Sequence, residues 1–176
     1  MTIQYKLTAE ALALQGQGIC DCSPVRGTPL SAGMDLKACL LKPLDILPYD
    51  TVKVGTGLHI WLGEVSPKQP WITSDEVPYN YWNQVTLPMQ LAGFLLPRSS
   101  AKGIQLENTV GLLDCDYQQE VFIKLYNKTE DTITIAPSER IAQLVILPVV
   151  MDTWILSQKD WEETSRIGGD GSTGKF

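Results

Sequence analysis

The sequence holds a single histidine, His59, and only three phenylalanines among 176 residues. It is also short of positive charge, with 14 Lys and Arg against 20 Asp and Glu, a net of −6. One histidine removes the mixed Cys and His ligand sets from which many zinc sites are assembled. The charge balance excludes broad nucleic-acid binding, because neutralising a phosphate backbone takes clustered Lys and Arg. It leaves room for a small phosphate ligand, which needs only a few local cations and backbone N–H groups. Long apolar runs are missing too. Leu144 to Val150 is broken by Pro148, and it falls far short of the roughly 20 residues of a spanning helix. Met1 to Leu7 lacks the basic region and apolar block of a secretory signal. A soluble, cytoplasmic protein is expected, with Cys20, Cys22, Cys39 and Cys115 as reduced thiols.

What is present is a chain that is 44% apolar, enough for one domain with a substantial core. That domain is placed at 1–164, with a glycine-rich arm at 165–176. Short β-forming runs recur with turn signals between them: Ile3–Leu7, Ser31–Ala38, Met89–Leu96, Val121–Tyr126, Thr132–Ile135 and Arg140–Leu147. Ile46–Leu62 reads as a hairpin turning at Pro48-Tyr-Asp50, and Ala11–Gln15 as a short helix. His59 falls in an alternating strand and is read as structural. Strands at this spacing imply an all-β sandwich or barrel.

The stretch Asn108–Glu120 concentrates chemistry. It places Gly111, Asp114, Asp116 and Tyr117 just before the Val121–Tyr126 strand. Glycine there permits a close backbone approach, and a glycine-bearing strand ending in two carboxylates suggests a nucleotide pocket in a hairpin. Asp35, after Ala32-Gly-Met, is either a carboxylate at a strand mouth or a turn residue. Pro97-Arg-Ser-Ser100 is either a phosphate cradle or a cap with a solvated arginine. Residues 63–87, rich in Pro, Trp and Tyr, are either a self-packed lid or a surface for a protein partner. The tail from Ser165 carries Arg166, Ser172 and Thr173 among glycines, a composition that suits either disorder or a flap over phosphates.

Taken in order, five segments resemble the motifs of trimeric dUTP pyrophosphatases: Ala32–Leu36, Pro97–Ser100, Asn108–Tyr117, Arg140–Gln143 and Gly168–Gly174. The resemblance implies a jelly-roll-like distorted β-barrel with little helix and a flexible C-terminal arm. It implies a homotrimer with shared active sites, Mg2+ as cofactor, and hydrolysis of dUTP to dUMP and pyrophosphate. That activity limits uracil incorporation into DNA and supplies dUMP for thymidylate synthesis. Asp114 matches the carboxylate that deprotonates the attacking water. Asp35 matches the one that holds magnesium through water, and Gln143 the amide near the α-phosphate. Ser99 and Ser100 would face phosphate oxygens, and Arg98 would ion-pair with Asp116. Asn108 and the backbone at Gly111 would read the uracil edge, with Tyr117 under the deoxyribose. Arg166, Ser172 and Thr173 would close over the outer phosphates.

Three positions depart from the family pattern. Gln119 stands where a glycine is usual, Asp170 replaces the aromatic ring of the tail motif, and Arg166 sits one residue nearer the glycine pair. The length and aromatic insertion look like those of a phage or viral member. Two other functions are carried forward: a dCTP deaminase, alone or bifunctional, and a protein-interaction module acting through 63–87. Neither a membrane nor a nucleic-acid partner is expected.

Overall fold

The computed structural model describes residues 3–63, 89–101, 103–107 and 110–151. Among them the order is β1 (Gln4–Leu7), α1 (Ala9–Gly16), β2 (Val25–Arg26), β3 (Met34–Lys37), β4 (Leu44–Ile46) and β5 (Thr51–Trp61). There follow β6 (Met89–Leu96), β7 (Ile104–Leu106), β8 (Gly111–Leu113), β9 (Glu120–Asn127), β10 (Ile133–Ile135) and β11 (Arg140–Val150). One sheet runs β1-β5-β9-β7, a second β2-β3-β11-β6-β8, and β10 pairs with β4. The all-β expectation holds, and the sheets stay open at their outer strands rather than closing into a barrel.

Period-two patterning explains how the sheets face each other. On β9, Val121, Ile123 and Leu125 are buried while Phe122 and Lys124 are exposed. One apolar cluster joins Leu58, Ile123 and Leu125 of the four-stranded sheet to Leu36, Leu95 and Leu144 of the five-stranded one. The core therefore lies between the sheets.

The short helix is capped by Thr8, whose hydroxyl accepts the Ala11 N–H at 3.1 Å. Its buried face, Ala11 and Leu14, meets β5 where that strand bulges between Gly55 and His59. Gly57 in the bulge has φ +70, and a Cβ there would lie 2.6 Å from the Ala11 Cβ. Glycine is required at that point both for its backbone and for its lack of a side chain.

Two sequence expectations are corrected by the pairing. Ile46–Leu62 is not a hairpin: β4 pairs with β10, whereas β5 pairs with β1 and β9. The Pro48–Asp50 segment is instead a corner between sheets, with Tyr49 at φ 60 and the Asp50 N–H donated to Leu47 C=O at 3.1 Å. Fully buried Asn127 holds this corner, its Nδ2 donating to the carbonyls of Ile46 at 2.9 Å and Leu47 at 3.1 Å. Nor do the strands flanking Asp114 to Tyr117 pair with each other. β8 hydrogen-bonds to β6, and β9 lies between β5 and β7 in the other sheet. The aromatic insertion, apart from Gly63, and the glycine-rich arm lie outside the described residues.

Candidate active site

Strand β11 brings three distant segments to one line. Gln143 on β11 is in register with Asp35 on β3 and, on its other side, with Leu96 at the end of β6. Immediately beyond Leu96 the chain turns through Arg98–Ala101, closed by the Ala101 N–H to Arg98 C=O at 3.1 Å. Gln143 Nε2 donates to Pro97 C=O at 2.9 Å, which ties the turn to β11. Gly33 makes this possible, because a Cβ there would stand 2.4 Å from Gln143 Oε1.

Asp35 occupies the centre of the cluster. Arg98 Nε donates to its Oδ1 at 3.1 Å, and Arg140 Nη1 to its Oδ2 at 3.1 Å. Arg98 Nη1 also donates to the Arg140 carbonyl at 3.0 Å, so the two arginines are locked to each other as well as to the carboxylate. The Asp35 side chain is 14% exposed and that of Arg98 20%, which makes this a partly desolvated network and not a loose surface pair. Two guanidinium groups against Asp35 leave a charge of about +1 on the triad, which Glu139 in the recess beside Arg98, Ser100 and Arg140 partly offsets. Ser99 and Ser100 are exposed beside it. The arrangement presents positive charge and hydroxyl donors at one edge, which is chemistry suited to phosphate oxygens.

The expected Arg98–Asp116 pair is not formed within the chain among the described residues. Within the chain Arg98 is engaged by Asp35 and the Arg140 carbonyl, while Asp116 is exposed in the segment between β8 and β9. Register explains why. Leu113 faces Gly93, so Asp114 follows at about the level of Ala92, roughly 13 Å along β6 from Leu96. Asp116 lies beyond it, away from the arginine. The interaction that does form, with Arg140 as an additional partner of Asp35, was signalled in sequence only by its place in the Arg140–Gln143 segment.

The second group of candidate residues sits around a cavity of ≈ 270 Å3 between the two sheets. Its lining includes Gly111, Asp114, Tyr117, Phe122, Lys53 and Lys124. Asp114 is exposed, and its carbonyl accepts the Tyr117 N–H at 3.2 Å, forming a turn. The Tyr117 hydroxyl donates to Glu120 C=O at 3.0 Å, which pins the ring over the start of β9. Lys53 Nζ stands 3.9 Å from the Phe122 ring centroid. The bare Cα of Gly111 is covered by Leu95, 3.1 Å from where a Cβ would be, so its smallness also serves the β6–β8 packing. Neither Lys53 nor Phe122 was singled out from sequence. Their alternation marks them as outward-facing, and only the parting of β8 from β9 turns that face towards a cavity.

Asp35, Arg98, Ser99, Ser100 and Gln143 thus assemble at one place, and Gly111, Asp114 and Tyr117 at another. Asn108, Arg166, Ser172 and Thr173 lie outside the described residues. His59 Nδ1 lies 2.9 Å from Gln118 C=O. Among the described residues no group of three or more His, Cys, Asp or Glu is placed to hold a metal ion. No helix among them is long and apolar enough to cross a membrane.

The dUTPase family profile matches residues 75–174 of the chain. The chain is 39% identical over 159 residues to the deoxyuridine 5'-triphosphate nucleotidohydrolase of Paraburkholderia xenovorans, covering 88% of this chain and 90% of that protein. It is 35% identical over 156 residues to the enzyme of the same name from Legionella pneumophila, covering 87% of each. In fold it is similar to the dUTPase of Staphylococcus bacteriophage 80alpha, with a TM-score of 0.63 over 92% of this chain and 99% of that one. At 18% identity that likeness concerns the fold alone. The sequence relatives are bacterial, so they lend no support to the phage or viral origin suggested by length and insertion. A profile covering more than half of the chain, and relatives of this identity along most of their length, place the chain in the dUTPase family.

Proposed function

We infer that the chain hydrolyses dUTP to dUMP and pyrophosphate. The observation that carries this is the convergence of Asp35, Arg98 and Gln143 at one cationic edge. In this reading Ser99 and Ser100 donate to phosphate oxygens and steady charge developing on the leaving group. Arg98 and Arg140 hold Asp35 in position, and Gln143 hydrogen-bonds near the α-phosphate. Asp114 orients the water and accepts its proton, a role open to an ionised carboxylate because it is acceptor-only. Asn108 and the backbone near Gly111 read the uracil edge, where cytosine would leave a donor and acceptor mismatched. Tyr117 lies beneath the deoxyribose and has no room for a 2′-hydroxyl. Arg166, Ser172 and Thr173 close over the outer phosphates.

The donor set fits Mg2+ in a particular way. Each oxygen of Asp35 is already taken by one guanidinium but keeps a second lone-pair direction. Magnesium keeps much of its water shell and binds through phosphates and one or two carboxylates. Asp35 would therefore touch it through water while the triphosphate carries it. When bound, the ion would offset phosphate charge.

We further propose a homotrimer with shared active sites. The separation along β6 of Asp114 and Tyr117 from the Asp35 cluster supports this, since one chain alone does not bring the two halves together. Four free cysteines support action in a reducing cytoplasm.

Incubation with dUTP and, separately, dCTP tests the activity. Pyrophosphate from dUTP is the expected product, and ammonia from dCTP without pyrophosphate from dUTP would replace this function with deamination. Light scattering should give three times the chain mass. Gly33→Ala probes the cluster itself. Its hardest clash falls on the flexible end of Gln143, with the Gln143 Cβ also close at 3.2 Å, so stability should fall by about 1 kcal/mol. Turnover, however, should fall about tenfold or more through displacement of that amide. Kinetics and a melting curve on the same sample separate the two effects, and unchanged turnover would remove Gln143 from the mechanism.

A further inference from the structure

Cys20 and Cys22, two residues apart, meet Cys39 beneath α1, outside the group of residues assigned to the candidate active site. Cys20 and Cys22 are buried, at 2% and 0% exposure, and their sulfurs lie 3.5 Å apart. Asp21 between them turns outward, where its carboxylate meets Lys37 Nζ at 2.5 Å, so its neighbours both point inward on an extended backbone. Cys22 and Cys39 also close over Gly57, their sulfurs 3.2 and 3.0 Å from where a Cβ would stand. Leucine or alanine would fill such a pocket without a reactive atom, and nothing in the proposed hydrolysis uses a thiol.

We propose that Cys20 and Cys22 form an oxidisable dithiol that hydrogen peroxide converts to an intrachain disulfide. The Cys20 sulfur attacks the peroxide oxygen, the O–O bond breaks and hydroxide leaves, giving a sulfenic acid. The Cys22 sulfur then attacks that sulfenic sulfur and the S–S bond forms. The displaced hydroxide departs with the Cys22 proton as water. The two thiols together lose two electrons and two protons, and the peroxide is reduced to two waters.

The surroundings divide the roles of the two sulfurs. Burial opposes ionisation of Cys20, and its thiol donates to Ala38 C=O at 3.2 Å, but the Ser138 hydroxyl, the Leu40 backbone and the Cys22 thiol hydrogen-bond it, and its pKa is held below the ordinary thiol value. Burial and contact with Cys39 and Cys20 push Cys22 the other way. Cys20 is thus the attacking thiolate and Cys22 the resolving thiol. Cys39 is kept as a thiol by burial, which raises its pKa. The ring so formed lies three residues before Val25, which pairs with Asp35, so oxidation acts on the strand that flanks the cationic cluster.

The test uses the whole folded chain and hydrogen peroxide, followed by alkylation in denaturant and tryptic mass spectrometry. Cys20 and Cys22 share the peptide 7–26, whereas Cys39 falls in the peptide 38–53. The expected result is a peptide 7–26 lighter by two hydrogens and refractory to alkylation until reduced, with Cys39 and Cys115 alkylated. A covalent link between 7–26 and 38–53, or full alkylation of 7–26, would overturn the assignment. Since the wild-type chain is the sample, no variant needs to fold. A Cys22→Ser variant should instead accumulate sulfenic acid at Cys20, trapped by dimedone, and absence of the adduct in a folded variant would also overturn it.

Discussion

Asp114→Asn is expected to lower the turnover of dUTP by about three orders of magnitude, the range in which a general base contributes. The substitution keeps the shape of the side chain and removes its ability to take a proton. Asp114 is exposed, makes no ion pair among the described residues, and contributes to its turn only a backbone carbonyl, which the amide leaves intact. The fold and the cavity beside it should therefore survive. Binding of a non-hydrolysable dUTP analogue, followed by calorimetry, should stay within a fewfold of wild type, because losing only the base affects the transition state and not the ground state. Turnover near wild type would mean that another group activates the water. A parallel fall in affinity would mean that Asp114 holds substrate rather than deprotonating water.

Asn127→Ala is expected to produce the largest loss of stability, about 3–5 kcal/mol. The side chain is fully buried and saturated. Its Nδ2 serves the carbonyls of Ile46, Leu47 and Asp131, the last at 2.7 Å, and its Oδ1 accepts the Thr129 N–H at 2.9 Å and hydroxyl at 2.7 Å. Alanine leaves the buried Ile46 carbonyl and the part-buried groups around it without this partner, and an unsatisfied buried polar group costs more than the hydrogen bond gained by making it. The melting temperature should fall by about 10 °C. Chemical denaturation gives the same quantity independently, and a loss below about 1 kcal/mol would show that the corner at Pro48–Asp50 is held by something else. The same position carries the sequon Asn127-Lys-Thr129, whose asparagine is spent entirely on internal hydrogen bonds.

Much of the architecture is legible from alternation. Val121–Tyr126, Ile133–Ile135 and Arg140–Leu147 lie in strands of the structure, and on the first of them alternation names the buried face, Val121, Ile123 and Leu125, without reference to any partner. The helix at Ala9–Gly16 was similarly announced by its small apolar patch and by glycine at its end. The motif residues were legible as types: a carboxylate at Asp35, an arginine and two hydroxyls at Arg98–Ser100, an amide at Gln143.

Which strand pairs with which was decided only by the tertiary structure. Ile46 and Thr51 look like two arms of a hairpin because a Pro-Tyr-Asp turn separates them, yet Asn127, far along the chain, takes the carbonyls at the corner and sends β5 into the other sheet. Arg98 has a carboxylate partner by any reading of its charge. That the partner is Asp35, shared with Arg140, follows from β11 lying between β3 and β6, a fact of sheet order that no local pattern contains. The closure of Cys22 and Cys39 over Gly57 arises in the same way, from distant segments meeting at the β5 bulge. Residue chemistry and burial face are local properties and were written in the sequence; partners depend on where distant segments pack, and packing belongs to the whole chain.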